Sequence, residues 1–240
     1  MKINGIKDIF SFFTLIPING DIFKASTSIY FLPIISLIVG IVSGSIKYYL
    51  AIFTNNFLAS AVAVLSIYMI TGIMHIDGFA DFMDSLFAKG GKEQRIKVLK
   101  DPHVGVASVL SVYFLLTLMI ILTYTLDNHD LMDSILFFAA SDLTGRASVI
   151  GGLFGKNYHE GLGKIFATSF KPRYAIYFLL ISLILLPFIK YFYLLIFVGL
   201  LIGYLFYKTG VRLYGASGGD VIGTSVEISR LIGMIIVCFV

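Results

Sequence analysis

The stretch "FLASAVAVLSIYMITGIMHIDGFADFMDSLFA", Phe57 to Ala88, changes character halfway. Phe57 to Met74 carries no charge, and about 20 such residues are what an α-helix needs to cross a bilayer. His75 to Ala88 then holds one histidine and three aspartates, Asp77, Asp81 and Asp84. At about 100° per residue these aspartates fall within roughly 60° of one another on a single helical face. The stretch therefore reads as an apolar membrane helix that runs into an acidic helix at the membrane edge.

The rest of the chain fits that reading. Of its 240 residues 58% are hydrophobic and 13% charged. Soluble domains are about 45–50% apolar and about 25% charged. The composition excludes an ordinary soluble domain and points to an all-α, polytopic integral membrane protein whose medium is the lipid bilayer. Candidate spans are Ile29–Phe53, Phe57–Met74, Val104–Leu126, Leu131–Ile150, Tyr174–Ile189, Tyr191–Tyr207 and Val221–Val240. They give about six or seven transmembrane helices in one domain, 1–240. The start, "MKINGIKDIFSFFTLIP", has no small-residue cleavage site, so it reads as a retained amphipathic helix at the interface. One cysteine, Cys238, allows no internal disulfide. The net charge of +4 is dispersed and marks no nucleic-acid partner. An anionic leaflet or an anionic substrate accounts for it. A homo-oligomer is left open.

Basic residues fix an expected orientation. With the N-terminus in the cytoplasm, 15 of the 18 lysines and arginines fall on the inner side. The outer loop "LDNHDLMD" is acidic instead. This topology places the aspartate face, the loops 75–103 and 146–173 and the segment 208–220 on the cytoplasmic side of the cell membrane.

Three stacked carboxylates repel one another, and near a bilayer they call for neutralisation. Oxygen-only ligands suit Mg²⁺, which keeps waters and shares its shell with substrate phosphates. Asp77, Asp81 and Asp84 are the candidate ligands. Gly78 leaves room beside the first of them for a bulky ligand. His75 lies nearly opposite this face and is not counted as a ligand.

Three further stretches bear on the site. In "RIKVLKDPHVGVAS" (95–108), Lys100 and Asp101 precede Gly105. Asp101 fits an N-cap with Pro102 at the first helical position, and a helix N-terminus beside lysines also suits an anion. In "GRASVIGGLFGKNYHEGLGKIF" (145–166), glycine-rich backbone accompanies Arg146, Gly161 and Gly163, a pattern that can cradle phosphates or form a plain loop. In "YGASGGDVIGTSVEISR" (214–230), Asp220 and Glu227 share a helical face. Glu227 either pairs with Arg230 three residues on or acts as a functional intramembrane acid. Together these residues describe an oxygen-rich metal site ringed by basic and glycine-rich loops, suited to phosphate-ester chemistry.

The motifs resemble one family. "GIMHIDGFADFMDSLF" is similar to the G-x-x-H-x-D-G-x-x-D-x-x-D signature of adenosylcobinamide-GDP ribazoletransferases, also called cobalamin synthases. "FFTLIPI" with "YFLPIISLIVG", "RIKVLKDPHVGVAS", "GR" with "YHEGLG", and "GGDVIGTSVEIS" resemble the family's other segments in the same order. The resemblance implies a polytopic helical enzyme that uses Mg²⁺. It would join α-ribazole, or its 5′-phosphate, to adenosylcobinamide-GDP and release GMP. It also implies that Asp77, Asp81 and Asp84 hold the metal, and that Lys100, Asp101 and Arg146 meet phosphates or complete the site. His75, Gly78, Gly105, Gly161 and Gly163 would line the substrate site, and Asp220 and Glu227 would form a second acidic patch. Asp81, central on the face, is the first choice of general base.

Departures from the family pattern are Leu99 for methionine, Gly145 for serine, "VAS" after Gly105 and "SGG" before Asp220. Gly145 removes any hydroxyl role there. Two other readings were weighed. A CDP-alcohol phosphatidyltransferase needs an aspartate where Met74 stands, and its Ala-Arg pair falls on Asp81 and Phe82. An ion-coupled transporter would place its acids at the midplane and show internal repeats.

Overall fold

The computed structural model describes residues 4–126 and 130–239. Twelve α-helices follow one another among them: α1 (Asn4–Phe13), α2 (Ile22–Thr27), α3 (Leu32–Phe53), α4 (Asn56–Thr71), α5 (Met74–Phe87), α6 (Lys92–Leu99), α7 (Val106–Tyr124), α8 (Leu131–Leu153), α9 (Leu162–Ser169), α10 (Arg173–Leu185), α11 (Phe192–Tyr214) and α12 (Gly219–Phe239). No strand occurs among the described residues. The all-α membrane class read from the composition is what the chain folds into.

α8 is the axis of the bundle, packed by α3, α11 and α12. Every residue from Phe137 to Leu153 is buried. Small residues permit this, because backbones in a membrane bundle approach only where side chains are absent. A side chain at Gly203 would collide with the Ser148 carbonyl, and one at Gly44 with the backbone of Ile135.

Among the described residues four helical stretches are long and apolar enough to cross a membrane: Ile29–Phe53, α7, α11 and α12. Counting α4 and α5 as one broken span gives five. Six or seven were expected, and two segments account for the difference by this measure of length and composition. The segment Tyr174–Ile189 yields only the 13-residue α10, about 20 Å against a core of about 30 Å. The segment Leu131–Ile150 does form a long helix, but Asp142 and Arg146 make it polar, and its neighbours are helices. The lipid-facing positions lie elsewhere. Leu110, Phe114, Leu118 and Ile121 on α7 are exposed, as are Phe197, Leu201 and Leu205 on α11.

The junction in the opening stretch is sharper than expected. α4 ends at Gly72, whose φ of 74° a side-chain-bearing residue rarely adopts, and α5 leaves at 100° to it. The membrane-crossing axis ends at Thr71, and α5 turns away from it. α1 is amphipathic, as expected, and its apolar face, with Ile9 and Phe13, is buried in the main core. Its aromatic end meets α5 and α9, with Phe13 stacked on His75 and packed on Phe166.

Candidate active site

The acidic site is built where α5 crosses α12. Gly78 and Gly223 make that crossing possible. A Cβ on Gly78 would lie 2.8 Å from the Asp220 Cα, and one on Gly223 2.9 Å from the His75 carbonyl oxygen. This corrects the expected role of Gly78: the room beside Asp77 is taken by the backbone of α12, not kept for a ligand. The close approach brings Asp220 into the aspartate face. Burial, and then the charges of Asp77, Asp220 and Asp84, push the Asp81 carboxyl up to about 6. Among the described residues no three acids, histidines or cysteines converge closely enough to enclose an ion unaided.

Asp84 has a different task from its two neighbours. Its Oδ2 accepts from the Gly105 N–H at 2.7 Å, and its Oδ1 from the Ser108 N–H at 2.9 Å. A carboxylate there supplies the N-terminal cap of α7, although it comes from another helix. Gly105 has no side chain because Asp84 fills that space. Asp84→Ala is expected to cost about 1 kcal/mol of stability, read as a lowered thermal midpoint in detergent, with much of the activity kept. A collapse of turnover as deep as that of an Asp81 variant would return Asp84 to the metal.

Asp101 does not cap α7, which begins at Val106. Its Oδ1 instead accepts from the His103 N–H at 3.0 Å and meets His103 Nδ1 at 2.7 Å. Those bonds hold its carboxyl below the usual carboxylate range. Lys100 caps the end of α6 through its backbone N–H, and its side chain is exposed. Neither residue forms an ion pair with Asp77, Asp81 or Asp220.

Gly161 and Gly163 reach the site through a local tie. The His159 N–H donates to the Ser217 carbonyl and the Ser217 N–H to the Asn157 carbonyl, both at 2.9 Å. The loop after α8 is thereby pinned to the loop before α12. Gly161 takes φ 130° at the turn, and Gly163 packs on the Gly219 backbone. The two glycine-rich segments, distant in sequence, meet beside Asp220.

Arg146 and Glu227 lie elsewhere, in a buried ionic network. Arg146 Nε bonds Asp142 Oδ2 at 3.0 Å, and Arg230 Nη2 bonds Asp142 Oδ1 at 2.9 Å. Arg230 Nη1 also bonds Glu227 Oε1 at 2.6 Å. Tyr68 donates to Glu227 at 2.8 Å and Ser36 to Asp142 at 2.9 Å. All four charged side chains are within 1% of full burial. The implied second acidic patch is thus divided: Asp220 joins Asp77 and Asp81, while Glu227 neutralises Arg230. The Glu227–Arg230 pair is one of the two readings the sequence offered, while the parts of Asp142, Tyr68 and Ser36 in the network were not read from it. The available signal was two arginines and two acids inside apolar helices, where an unpaired charge is costly.

Fold and site together define a helical membrane protein with a carboxylate cluster at one end of its bundle, flanked by glycine-rich loops. The chain belongs to the family described as cobalamin-5-phosphate synthase, whose model matches residues 5–238. It is similar to the adenosylcobinamide-GDP ribazoletransferase of Pyrococcus abyssi, with 32% identity covering 98% of this chain and 97% of the relative. Relatives of the same name from Pyrococcus furiosus and Methanococcoides burtonii are 28% and 31% identical, over 94% and 82% of this chain. No solved structure matches.

Proposed function

We propose that this chain is the transferase that joins α-ribazole, or its 5′-phosphate, to adenosylcobinamide-GDP with release of GMP, the last step of cobalamin assembly. The observation that carries the reading is the α5–α12 crossing, which gathers Asp77, Asp81 and Asp220 beside the glycine-rich loops. A ribose hydroxyl oxygen forms a bond to the cobinamide-linked phosphorus. The bond from that phosphorus to the bridging oxygen breaks, and GMP leaves with the oxygen. Asp81, flanked by Asp77 and Asp220, accepts the hydroxyl proton. Lys100, exposed at the end of α6, is available to phosphate oxygens. Gly163 and Gly219 let the loops approach the substrate closely.

The donor set suits Mg²⁺: only carboxylate oxygens, already repelling one another around Asp81. Asp81, with Asp77 and Asp220 beside it, would hold the ion only together with substrate oxygens, because the carboxylates do not converge on one point unaided. When bound it would neutralise phosphate charge, with substrate oxygens completing its shell. The excess of lysines and arginines on one side supports a cytoplasmic position for this end of the bundle.

The test is GMP release and corrinoid product from purified protein in lipid, with both substrates supplied. EDTA is expected to lower the rate by at least about a hundredfold, and Mg²⁺ to restore it. Undiminished turnover in EDTA removes the metal from the scheme. No turnover in any divalent cation, from folded protein, removes the enzyme reading itself.

A further inference from the structure

A cavity of about 110 Å³ opens between α1, α5, α8, α9 and α12. Its walls are largely apolar. Phe12, Phe13 and Phe166 form an aromatic cluster, with ring centroids 5.0 Å apart for Phe12 and Phe166 and 5.7 Å for Phe13 and Phe166. Two side chains with strong polar groups line it, His75 and Asp220. His75 is 5% exposed, and its Nδ1 is buried with no hydrogen-bond partner. A buried ring nitrogen without a partner costs free energy unless a ligand supplies one. Asp220 belongs both to this cavity and to the carboxylate cluster around Asp81. A molecule seated against the aromatic wall therefore extends directly onto the acids.

We infer that this cavity seats the flat base of the nucleoside substrate, with His75 Nδ1 donating a hydrogen bond to the base's free ring nitrogen. The inference rests on the transferase reading above, and adds to it where one substrate binds and how its base is recognised. Size excludes the corrin macrocycle: about 150 Å³ holds one benzene ring, so this cavity of about 110 Å³ takes only the imidazole edge of a base, the rest of the ring system lying in its open mouth. Polarity separates the two nucleosides. Guanine carries several donors and acceptors along its edge, and most would be left unpaired against phenylalanine walls. A benzimidazole base has an apolar body and one acceptor nitrogen once its other nitrogen bears the ribose. That matches an aromatic slot with one unpartnered imidazole. With the base in the slot, its ribose lies towards Asp220 and hence towards Asp81, where the hydroxyl must lose its proton.

The test uses full-length protein in lipid and two acceptors: α-ribazole 5′-phosphate and its indole analogue, in which the free ring nitrogen is replaced by C–H. Wild type is expected to lose about ten- to a hundredfold in kcat/KM on the analogue. His75→Leu is expected to lose a similar factor on the natural acceptor and to stop distinguishing the two. His75→Gln, which retains an N–H donor, is expected to regain part of the distinction. The KM for adenosylcobinamide-GDP is expected to stay within about twofold throughout. Full discrimination in His75→Leu, or a rise confined to the adenosylcobinamide-GDP KM, overturns the assignment.

A measurement on wild type guards against a variant that fails to fold. 5,6-Dimethylbenzimidazole alone is expected to compete with the nucleoside and not with the corrinoid. Competition with the corrinoid, or no inhibition at saturation, overturns the assignment equally. These outcomes are separable from failure of the reaction itself, because they require wild type that releases GMP.

Discussion

Asp81→Asn is expected to lower GMP release by about a thousandfold while leaving the protein at least as stable as wild type. The two effects share one cause. Asp81 sits among Asp77, Asp220 and Asp84, and burial adds to their repulsion. Its carboxyl is raised from an ordinary 3.8 to about 6, so between these values the folded chain holds a proton that the unfolded chain has lost. Stability therefore falls as pH rises from about 4 to 6, and the full penalty is present at pH 7. Asparagine has no charge to repel. Because Asp81 is only partly buried, water screens much of the effect, and a gain of about 1 kcal/mol or less is expected at pH 7 in EDTA. At pH 4 the gain should vanish. Thermal midpoints of both proteins at the two pH values, read beside turnover, test this. A variant less stable than wild type at pH 7 would mean that Asp81 makes a favourable contact in the resting fold. The idea that the cluster stores repulsion for a cation would then be lost.

The origin of that cluster shows what the sequence could and could not reveal. Asp77 and Asp81 were legible because helical spacing puts i and i+4 on one face, and no fold is needed to see it. Asp84 shares the spacing, but its partners are backbone N–H groups of Gly105 and Ser108. Periodicity reports which face a residue takes, not what waits across from it. Asp220 was visible only as an acid after two glycines. Its place beside Asp81 depends on Gly78 and Gly223 letting two helices touch, a contact between residues more than 140 positions apart. Gly78 was read as space for a ligand because a missing side chain looks the same whether substrate or backbone fills the gap. The helix count is sensitive to a related point: α8 is enclosed by protein and can carry Asp142 and Arg146, so a test of apolarity alone passes it over although it is 23 residues long. The cavity under Phe12 and Phe13 had no linear signal, since its walls come from five helices.

Asp142→Ala is expected to be the most damaging single substitution in the chain, at about 3–5 kcal/mol. Asp142 is the one anion shared by Arg146 and Arg230, and all three side chains are fully buried. Removing it strands the Arg146 guanidinium where water cannot reach it and leaves Arg230 with Glu227 alone. Folded domains commonly hold only about 5–15 kcal/mol in all, so little folded protein should be recovered. The informative partner is the double variant Asp142→Asn with Arg146→Met. It deletes one charge of each sign and leaves Arg230 with Glu227. Neutral or apolar replacements of a buried pair are often tolerated where a broken pair is not. The double variant is expected to be more stable than either single one, with a coupling of at least about 2 kcal/mol in the unfolding cycle. It also decides the role of Arg146. If that guanidinium grips a substrate phosphate, the double variant folds but does not turn over, and its deficit matches that of Arg146→Met. If Arg146 serves the scaffold, restoring neutrality restores much of the rate. The geometry favours the scaffold: Arg146 has no exposed surface, and its Nε bonds Asp142 within its own helix. The same network joins α3, α4, α8 and α12 through Ser36, Tyr68, Asp142 and Glu227. α12 delivers Asp220 to the acidic site, so the position of that carboxylate depends on charges buried about two turns further along the same helix.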